Sequence, residues 1–340
     1  MPKRFLYIFG GVIGDGLLGI HLGRTLSNAV PGARLHMIST RENRFFRELL
    51  EPLPFVSYEE MPKNRFASWL RLLSLMLTSH VVIYWVPFRD PASLWWRIIA
   101  RVSTLRRGSI EVHCQINDRE APPRVRISRF DCKTENIFST VVGALHTAGI
   151  PAAVLSRPYL SRPKDCTPPK YPYVLFHFFA ASYRRSVPTD HARSLLLAAR
   201  ALYPRYAFIL TCAQGERERA ERMAEGVENI RIEAGLHAHE MECLLTNATL
   251  CVGAATGITQ IGAHLSVPSI LLCNLPNMCW LPSYNPDVVL LYELAHCGCR
   301  GEKDDVCSIK TPEGPVYRCL YDIKTERIIE EMQRILTTRT

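Results

Sequence analysis

Residues 253–263, a glycine-containing segment in the second half of the chain, carry the strongest chemical signal in the sequence. An apolar run at 248–252 precedes them, and another begins after Pro268, which predicts strand, tight turn, helix and strand. Such a turn directs backbone N–H groups and the positive end of a helix dipole at one point, which suits a phosphate or diphosphate. Thr256 would cap the helix and contact a phosphate oxygen, and Gly257 would let the backbone approach it. An ordinary structural turn uses the same residue types.

Asp15 lies between two glycines, just after an apolar run at residues 5–9. A carboxylate at the end of a strand can take a proton from a hydroxyl, and general base catalysis of this kind contributes roughly 10²–10⁴-fold. Asp is also a favoured helix N-cap. The residue by itself therefore leaves a catalytic and a capping role open.

Charged side chains follow two apolar runs of the second half. Arg184 and Arg185 come after the run at 173–178, and arginine can bind a diphosphate through two parallel hydrogen bonds. Glu216 comes after the run at 206–212, and a carboxylate can accept hydrogen bonds from two neighbouring hydroxyls. A solvated basic loop and an acidic first turn of a helix are the alternatives.

Two groups of residues invite a metal interpretation. His237 and His239 are two positions apart, so on a helix they face different directions, and Glu240 fits a capping box instead. Four late cysteines suffice in number for zinc or iron: Cys297, Cys299, Cys307 and Cys319. Their C-x-C-x7-C-x11-C spacing is not that of a zinc ribbon, and thiols in a surface loop are the alternative.

Apolar periodicity predicts the elements that position these residues. In the first half, strands are predicted at 5–9, 34–39 and 81–86, and helices at 16–30, 43–50, 67–77, 91–102 and 136–148. In the second half, strands are predicted at 173–178, 206–212, 229–232 and around Ile270, and helices at 190–202, 216–224, 239–245 and 325–336. This alternation predicts doubly wound parallel sheets that bind ligands at the carboxyl ends of their strands.

The bulk properties set the class of protein. The chain has 340 residues, 47% of them apolar, which suffices for two cores, and four prolines within 158–170 predict a linker. A net charge of +9 favours phosphorylated substrates or an anionic membrane, and no nucleic-acid signature accompanies it. No export signal or membrane span is predicted, so we expect a cytoplasmic protein without disulfides.

A tryptophan-containing helix is predicted at residues 91–102. Trp95 and Trp96 would form its apolar face, and Arg97 and Arg101 a basic edge that could rest on an anionic membrane. A core helix with its arginines in solvent is the alternative, and we favour it for the apolar face.

Several of these residues resemble glycosyltransferase family nine, the lipopolysaccharide heptosyltransferases. Gly14-Asp15-Gly16-Leu17-Leu18 and the Val-Pro-Gly-Ala-Arg-Leu of 30–35 are similar to the opening of that family. Residues 252–268 are similar to its Val-Gly-x-Asp-Thr-Gly-x-x-His-x-Ala-x-x-x-x-x-Pro element, and the late cysteines are similar to its tail. The resemblance covers most of the chain and is weak over 40–130.

The resemblance implies an α/β protein of the GT-B fold, in which two Rossmann-like, doubly wound domains face each other across a cleft. It places an acceptor-binding domain at 1–160 and a nucleotide-sugar-binding domain at 171–322. A C-terminal helix at 323–340 could pack back on the N-terminal domain.

The resemblance also implies an inverting, metal-independent transferase that moves a sugar, heptose from ADP-heptose, to a hydroxyl of a lipopolysaccharide core or related glycan. Asp15 would be the catalytic base and Glu216 would bind the donor's ribose. Four residues would bind its diphosphate: Arg184, Arg185, Thr256 and Gly257. Gln260 would contribute to binding the diphosphate and sugar. No cofactor is required. The implied partners are the donor, a glycan or glycolipid acceptor and an anionic membrane at the inner face of the inner membrane.

Three departures from the family's pattern leave other functions open. Ala255 stands where the family has Asp, and Gln260 stands where it has His. Arg185-Ser186-Val187-Pro188 replaces its Lys-x-Trp-Pro. A non-catalytic relative that keeps nucleotide-sugar or glycan binding is one alternative. A GT-B enzyme that uses another nucleotide sugar, such as a UDP- or GDP-sugar transferase or an epimerase, is the other.

Overall fold

A computed structural model describes the protein at residues 4–9, 13–39, 44–50, 53–61, 66–85, 98–99, 101–103, 109–114, 126–130, 142–143, 145–147, 149–151, 160, 163, 165–274, 281–282, 285–293 and 307–338. The chain divides into two compact units, Met1–Tyr159 and Leu160–Thr340. No helix in the described ranges is long and apolar enough to cross a membrane.

The N-terminal unit is built on a parallel sheet in the strand order β3-β2-β1-β4-β5-β6. Its strands are β1 Arg4–Phe9, β2 Arg34–Ser39, β3 Val56–Glu60, β4 Val81–Trp85, β5 Ser109–Cys114 and β6 Arg126–Phe130. Its helices are α1 Ile13–Ala29, α2 Arg44–Leu50 and α3 Phe66–Thr78, and residues 98–99, 101–103, 142–143 and 145–147 are also helical. This is the Rossmann strand order.

The central strand β1 has helices on both faces because its side chains alternate. On one face, a Cβ at Gly19 of α1 would lie 2.9 Å from the Tyr7 ring, and one at Gly16 would clash with Phe46 of α2. Glycine on α1 therefore permits close approach to the sheet. On the other face, Leu6 and Ile8 pack in one buried cluster with residues of α3.

The C-terminal unit repeats the same architecture. Its parallel sheet has the order β9-β8-β7-β10-β11-β12. The strands are β7 Tyr173–His177, β8 Ala207–Cys212, β9 Ile230–Ala234, β10 Leu250–Ala254, β11 Ser269–Leu272 and β12 Val288–Leu291. The helices are α4 Thr189–Leu202, α5 Arg217–Ala224, α6 Ala238–Asn247, α7 Gly257–His264, α8 Arg318–Tyr321 and α9 Thr325–Thr337. An antiparallel hairpin, β13 Ser308–Thr311 and β14 Gly314–Tyr317, completes the unit. The predicted doubly wound α/β class is thus confirmed.

The last helix, α9, buries its apolar face in the core of the C-terminal unit. Ile328, Met332, Ile335 and Leu336 belong to the same cluster as Leu195 of α4. The apolar face of α9 thus fills the core of its own unit. The call that a C-terminal helix at 323–340 could pack back on the N-terminal domain stays a prediction.

A disulfide joins Cys166 to Cys243 of α6, and Cys307 is disulfide-bonded as well. The expectation of a protein without disulfides is therefore wrong. The stretch that precedes β7 runs beside α6 and brings the two Cα atoms to 5.2 Å, within the range a disulfide spans. The 77-residue separation gave no local sign of this pairing.

Candidate functional site

The candidate site lies at the carboxyl edge of the C-terminal sheet. Its topological switch point falls between β7 and β10, the central pair, and β8 is the other neighbour of β7. In an open parallel sheet, ligands bind at this edge. The loops that leave these three strands carry five of the predicted donor-binding residues: Arg184 and Arg185 after β7, Glu216 after β8, and Thr256 and Gly257 after β10.

Thr256 is the N-cap residue of α7. Its backbone N–H donates to Oγ1 of Thr259 at 3.0 Å, and the Thr259 hydroxyl lies 2.8 Å from the carbonyl oxygen of Ala254, to which it donates. The Thr256 hydroxyl itself is buried and has no hydrogen-bond partner among the described residues. A ligand oxygen at this helix N-terminus would supply one.

Gly253, near the end of β10, allows this strand to lie close to β7. Gly253 is paired with His177, the last residue of β7, and a Cβ on Gly253 would clash with the His177 carbonyl oxygen. The imidazole of His177 is buried, with Nδ1 3.1 Å from the Thr211 carbonyl oxygen. Burial lowers the pKa of His177 to about 4, so this side chain is neutral near pH 7. The switch point therefore gains no positive charge from it.

The loop after β7 is a closed structure that returns to its own strand. It contains a short 3-10 helix, Tyr183–Arg185. The Ser186 hydroxyl accepts a hydrogen bond from Ala180 N–H at 2.9 Å, and Val187 N–H donates to the Phe178 carbonyl oxygen at 2.9 Å. Arg184 and Arg185 are half-buried on this loop. These hydrogen bonds hold the loop that carries Arg184 and Arg185 close to the end of β7.

Arg219 of α5 links this loop to two other segments. Its buried guanidinium donates to the Val187 carbonyl oxygen at 2.9 Å and lies 4.5 Å from the centroid of the Tyr183 ring. Its Nε is 3.3 Å from a carboxylate oxygen of Glu313, and its Nη1 is 3.7 Å from one of Glu216. A single cation thus connects the loops after β7 and β8 to the β13–β14 hairpin.

Glu313 lies in the hairpin turn and completes what we call the Glu313 cluster: Tyr183, Thr189, Arg219, Arg222 and Glu313. The Glu313 carboxylate accepts hydrogen bonds from Thr189 at 2.7 Å and from the Tyr183 hydroxyl at 2.9 Å, and Arg222 is 3.6 Å away. Burial by itself would raise the pKa of Glu313. The two hydrogen bonds and the two guanidinium groups outweigh it and hold that pKa below its usual value.

The Glu313 cluster is the part of the site that the sequence did not predict. Arg219 lies in the helix predicted at 216–224, and the sequence predicted no role for it. The sequence signal in this turn is Gly314, because a glycine favours a turn. In the structure, Gly314 has φ +138, and a Cβ there would lie 3.0 Å from the Tyr183 ring. That signal indicates a turn but not its partner.

Asp15 lies in the N-terminal unit, just after β1, which forms the switch-point pair of that sheet with β4. Helix α1 begins at Ile13, so Asp15 is in the first turn and not at the N-cap position. An acid in the first turn interacts favourably with the helix dipole, so a structural role for Asp15 stays open beside the catalytic one. The catalytic role stays a prediction.

The remaining predicted donor residue, Gln260, is buried on α7, and Ala255 is buried just before the cap. The capping box at the start of α6 is confirmed, because the Glu240 carboxylate accepts a hydrogen bond from His237 N–H at 2.8 Å. His239 lies instead 3.3 Å from the Asp165 carboxylate. The His239 imidazole thus has a carboxylate partner.

The four late cysteines do not form a set of four thiolates. Cys307 is disulfide-bonded, and a disulfide sulfur is not a thiolate ligand. Cys319 is a buried thiol, and Cys297 and Cys299 lie outside the described residues. No group of three or more His, Cys, Asp or Glu side chains suited to a metal occurs in the described ranges. Trp95, Trp96 and Arg97 also lie outside them.

Comparison with known proteins assigns the fold. No family model matches the chain, and no curated protein matches its sequence. Solved structures match over nearly the whole chain. The ADP-heptose lipopolysaccharide heptosyltransferase II of E. coli is 16% identical with a TM-score of 0.69, covering 99% of each chain. E. coli heptosyltransferase WaaC with ADP is 14% identical with a TM-score of 0.65, covering 98% of this chain and 100% of its own.

A third similar structure is the family 9 glycosyl transferase from Veillonella parvula, at 15% identity and a TM-score of 0.69, covering 99% of this chain and 97% of its own. The chain therefore has the two-domain GT-B fold of the heptosyltransferases. The predicted resemblance to family nine is confirmed at the level of the fold.

Proposed function

We propose that the protein is an inverting, metal-independent glycosyltransferase that moves heptose from ADP-heptose to a hydroxyl of a lipopolysaccharide core or related glycan. One observation carries this proposal: three adjacent loops at the switch point of the C-terminal sheet bring together a helix N-terminus, two arginines and a carboxylate. The shared fold adds support, since one similar structure is a heptosyltransferase with ADP.

The donor diphosphate would bind between the α7 N-terminus and the loop after β7. The unpartnered Thr256 hydroxyl and the first backbone N–H groups of α7 would donate to phosphate oxygens. Arg184 and Arg185 would stabilise the charge that develops on the leaving ADP, the role a metal ion has in other transferases. The Glu216 carboxylate, 3.7 Å from Arg219, would accept hydrogen bonds from the ribose hydroxyls.

Transfer then requires a base for the acceptor. Asp15 would take the proton of the acceptor hydroxyl, whose oxygen attacks the anomeric carbon. A bond forms between that oxygen and the carbon, and the bond from the carbon to the diphosphate oxygen breaks, so ADP leaves with the electron pair. Attack opposite to the leaving group inverts the anomeric centre.

The two departures near α7 are compatible with this chemistry. Ala255 places no carboxylate beside the diphosphate, so no like charge opposes donor binding. Gln260 offers an amide that hydrogen-bonds sugar hydroxyls or phosphate oxygens without titrating near neutral pH. The pH dependence of transfer would then have no contribution from a histidine at position 260.

Calorimetric titration with ADP, UDP, GDP and CDP, without added metal, tests the donor half. We expect a clear preference for ADP. Preference for another nucleotide would change the donor and keep the class of enzyme. Lack of binding by all four at about millimolar concentration, the weak end of the affinity scale, would favour the non-catalytic alternative, to which Ala255 and Gln260 point.

Asp15→Asn tests the catalytic half. The variant should bind ADP like the unmodified protein and lose roughly 10²–10⁴-fold in transfer rate. A transfer rate unchanged by this substitution would refute the mechanism. Conversion of the donor in the absence of any acceptor would instead indicate an epimerase.

A further inference from the structure

Four side chains meet where the stretch that precedes β7 lies against α6. The disulfide between Cys166 and Cys243 joins these two segments. The Nε2 atom of His239 lies 3.7 Å from the Cys243 sulfur and 3.3 Å from a carboxylate oxygen of Asp165. Because His239 and Cys243 are four positions apart on α6, they lie on the same side of the helix. One sulfur of the disulfide therefore has an imidazole beside it, and that imidazole is paired with a carboxylate.

The disulfide is accessible from solvent. Cys166 and Cys243 are half-buried, and the neighbouring side chains of Asp165 and His239 are 75% and 55% exposed. An incoming thiolate must reach one of the two sulfurs, so access is a condition for reduction of the folded protein. The other cysteines whose side chains the structure describes are buried, namely Cys212, Cys251, Cys273, Cys307 and Cys319.

The two sulfurs of the disulfide differ in their surroundings. Nε2 of His239 can donate its N–H to the Cys243 sulfur, and a donor or cation beside a thiolate stabilises it. Among the described residues, no such donor contacts the Cys166 sulfur. Exchange is faster when the departing thiolate is the more stable one. Cys243 is therefore the better leaving group.

The arrangement differs from the triad of a cysteine hydrolase. In a triad, one ring nitrogen of the histidine contacts the nucleophile and the other contacts the carboxylate. Here the same nitrogen, Nε2 of His239, lies near both Asp165 and Cys243, and the Cys243 sulfur is already bonded to another sulfur. The geometry suits exchange at a disulfide better than acyl transfer.

We propose that the Cys166–Cys243 disulfide is a thiol–disulfide exchange site for a dithiol reductant. A thiolate of the reductant attacks the Cys166 sulfur, the bond between the two cysteine sulfurs breaks, and Cys243 leaves with the electron pair beside the His239 N–H. The second thiolate of the reductant then attacks the reductant's own sulfur in the mixed disulfide, and Cys166 leaves. The reductant loses two electrons and two protons and becomes a disulfide, and the protein gains them as two thiols. This chemistry goes beyond the proposed transfer reaction.

Exchange would release the stretch before β7 from α6. Residues 167–170 are exposed, and beside the exposed ion pair of His239 the described contact that remains is a 3.4 Å hydrogen bond from the Asn247 amide to the Thr167 carbonyl oxygen. Thr167 and Cys243 line a cavity of about 900 Å³ that reaches the first residues of β8 and β9. A segment with few buried contacts opens easily once its covalent link is cut. We therefore expect reduction to open this wall of the cavity.

Reduction of the folded full chain tests the exchange. The protein is treated with dithiothreitol without denaturant, its thiols are blocked with iodoacetamide, and peptide mass spectrometry identifies them. We expect Cys166 and Cys243 to become alkylated together while circular dichroism stays that of the folded protein. With glutathione, a monothiol, and an early acid quench, the mixed disulfide should form at Cys166, because Cys243 is the leaving group.

Variants of two histidines test the imidazole. His239→Ala should lower the rate of reduction about 3- to 10-fold, because the departing Cys243 thiolate loses its donor. His237→Asn is the matched control, since it replaces the other histidine at this end of α6 with a favoured N-cap residue, and its rate should stay within about twofold.

Trypsin cleavage after Lys170 measures the release of the segment. Lys170 is exposed just before β7, and reduction should raise its initial cleavage rate roughly tenfold, because proteolysis follows the population of the open form. Cys166→Ser cannot form the disulfide. It should therefore be cleaved at the fast rate both with and without dithiothreitol.

Four results would overturn the inference. The first is alkylation of Cys166 and Cys243 without reductant, even after treatment with oxidised glutathione. The second is a disulfide that is reduced only in urea, or a loss of circular dichroism on reduction, since either would make it a structural bond. The third is glutathione on Cys243, or a reduction rate of His239→Ala that equals that of the unmodified protein. The fourth is cleavage after Lys170 that reduction does not change. None of these measurements uses a nucleotide or a sugar, so they stand apart from failure of the proposed transfer reaction.

Discussion

Glu313→Gln removes the charge at the centre of the Glu313 cluster and leaves its shape. The glutamine can still accept hydrogen bonds from Thr189 and Tyr183. The guanidinium of Arg219, which is buried, loses its carboxylate partner at 3.3 Å and keeps only Glu216 at 3.7 Å. We expect the loop after β7, which carries Arg184 and Arg185, to open more easily.

The cost follows from the burial of the two partners. Removing one partner of a fully buried ion pair costs about 3–5 kcal/mol. The Glu313 side chain is 26% exposed, and glutamine keeps the hydrogen bonds, so the expected cost is smaller, about 1–3 kcal/mol. Since about 1.4 kcal/mol is a factor of ten in an equilibrium constant, local opening should increase roughly 5- to 150-fold.

Amide hydrogen exchange of the intact protein measures this opening directly. The informative amides are those of Ala180, Ser186 and Val187, whose hydrogen bonds close the loop. Glu330→Gln is a suitable control, because Glu330 is exposed on α9 and belongs to none of the described ion pairs. Exchange in the loop should be faster in Glu313→Gln and unchanged in Glu330→Gln.

The pH dependence gives a second, independent check. The pKa of Glu313 is held below its usual value of 4.5, so its stabilising contribution is complete above that pH and is lost as pH falls through the lower folded value. The difference between the unmodified protein and Glu313→Gln should therefore be full at pH 7 and shrink below pH 4.5. Equal loop exchange in both proteins at pH 7, or a difference independent of pH, would refute this reasoning.

The structure predicts the outcome of three further changes. Thr256→Val should weaken ADP binding about 10- to 100-fold, because it removes a buried hydroxyl that has no partner among the described residues; calorimetry checks this. Gly253→Ala should destabilise the C-terminal unit by about 1–3 kcal/mol, because the new Cβ clashes with the carbonyl oxygen of His177 in β7. Gly215→Ala, where a Cβ meets open space, should leave the stability unchanged, and urea unfolding compares the two variants. Reduction of the Cys166–Cys243 disulfide, which closes a loop across 77 residues, should cost about 3–4 kcal/mol in the same assay, and an unchanged midpoint would contradict that.

The sequence predicted the central strands of both sheets and the edge strand β9, and it missed β3, β5, β6 and β12, which lie at or next to sheet edges. β1, β7 and β10 are continuous apolar runs, because a strand covered by helices on both faces buries every side chain. β3 and β6 contain Glu59 and Arg129 and lie at sheet edges, so their apolar periodicity is weak. Such strands are defined by the neighbour they pair with more than by their own composition.

The residues of the candidate site also differ in whether the sequence predicts that they meet. Thr256 and Glu216 follow strands that are visible in the sequence, so their common edge could be predicted. Arg219 and Glu313 are separated by 94 positions, and no local pattern indicates that they meet. Their pairing depends on where the hairpin docks, which is a property of the folded unit.

The Glu313 cluster also has a consequence for the order in which the protein is made. The hydrogen bond between Tyr183 and Glu313 spans 130 residues, and β7, beside which Tyr183 lies, is the first strand of its unit to leave the ribosome. At about 5–20 residues per second, roughly 6–26 s pass before the hairpin turn is synthesised. For the last 94 residues of that interval, Arg219 has been synthesised and is without Glu313. The loop after β7 is therefore among the last parts of a nascent chain to become ordered, and exposure to chaperones or proteases should be greatest there.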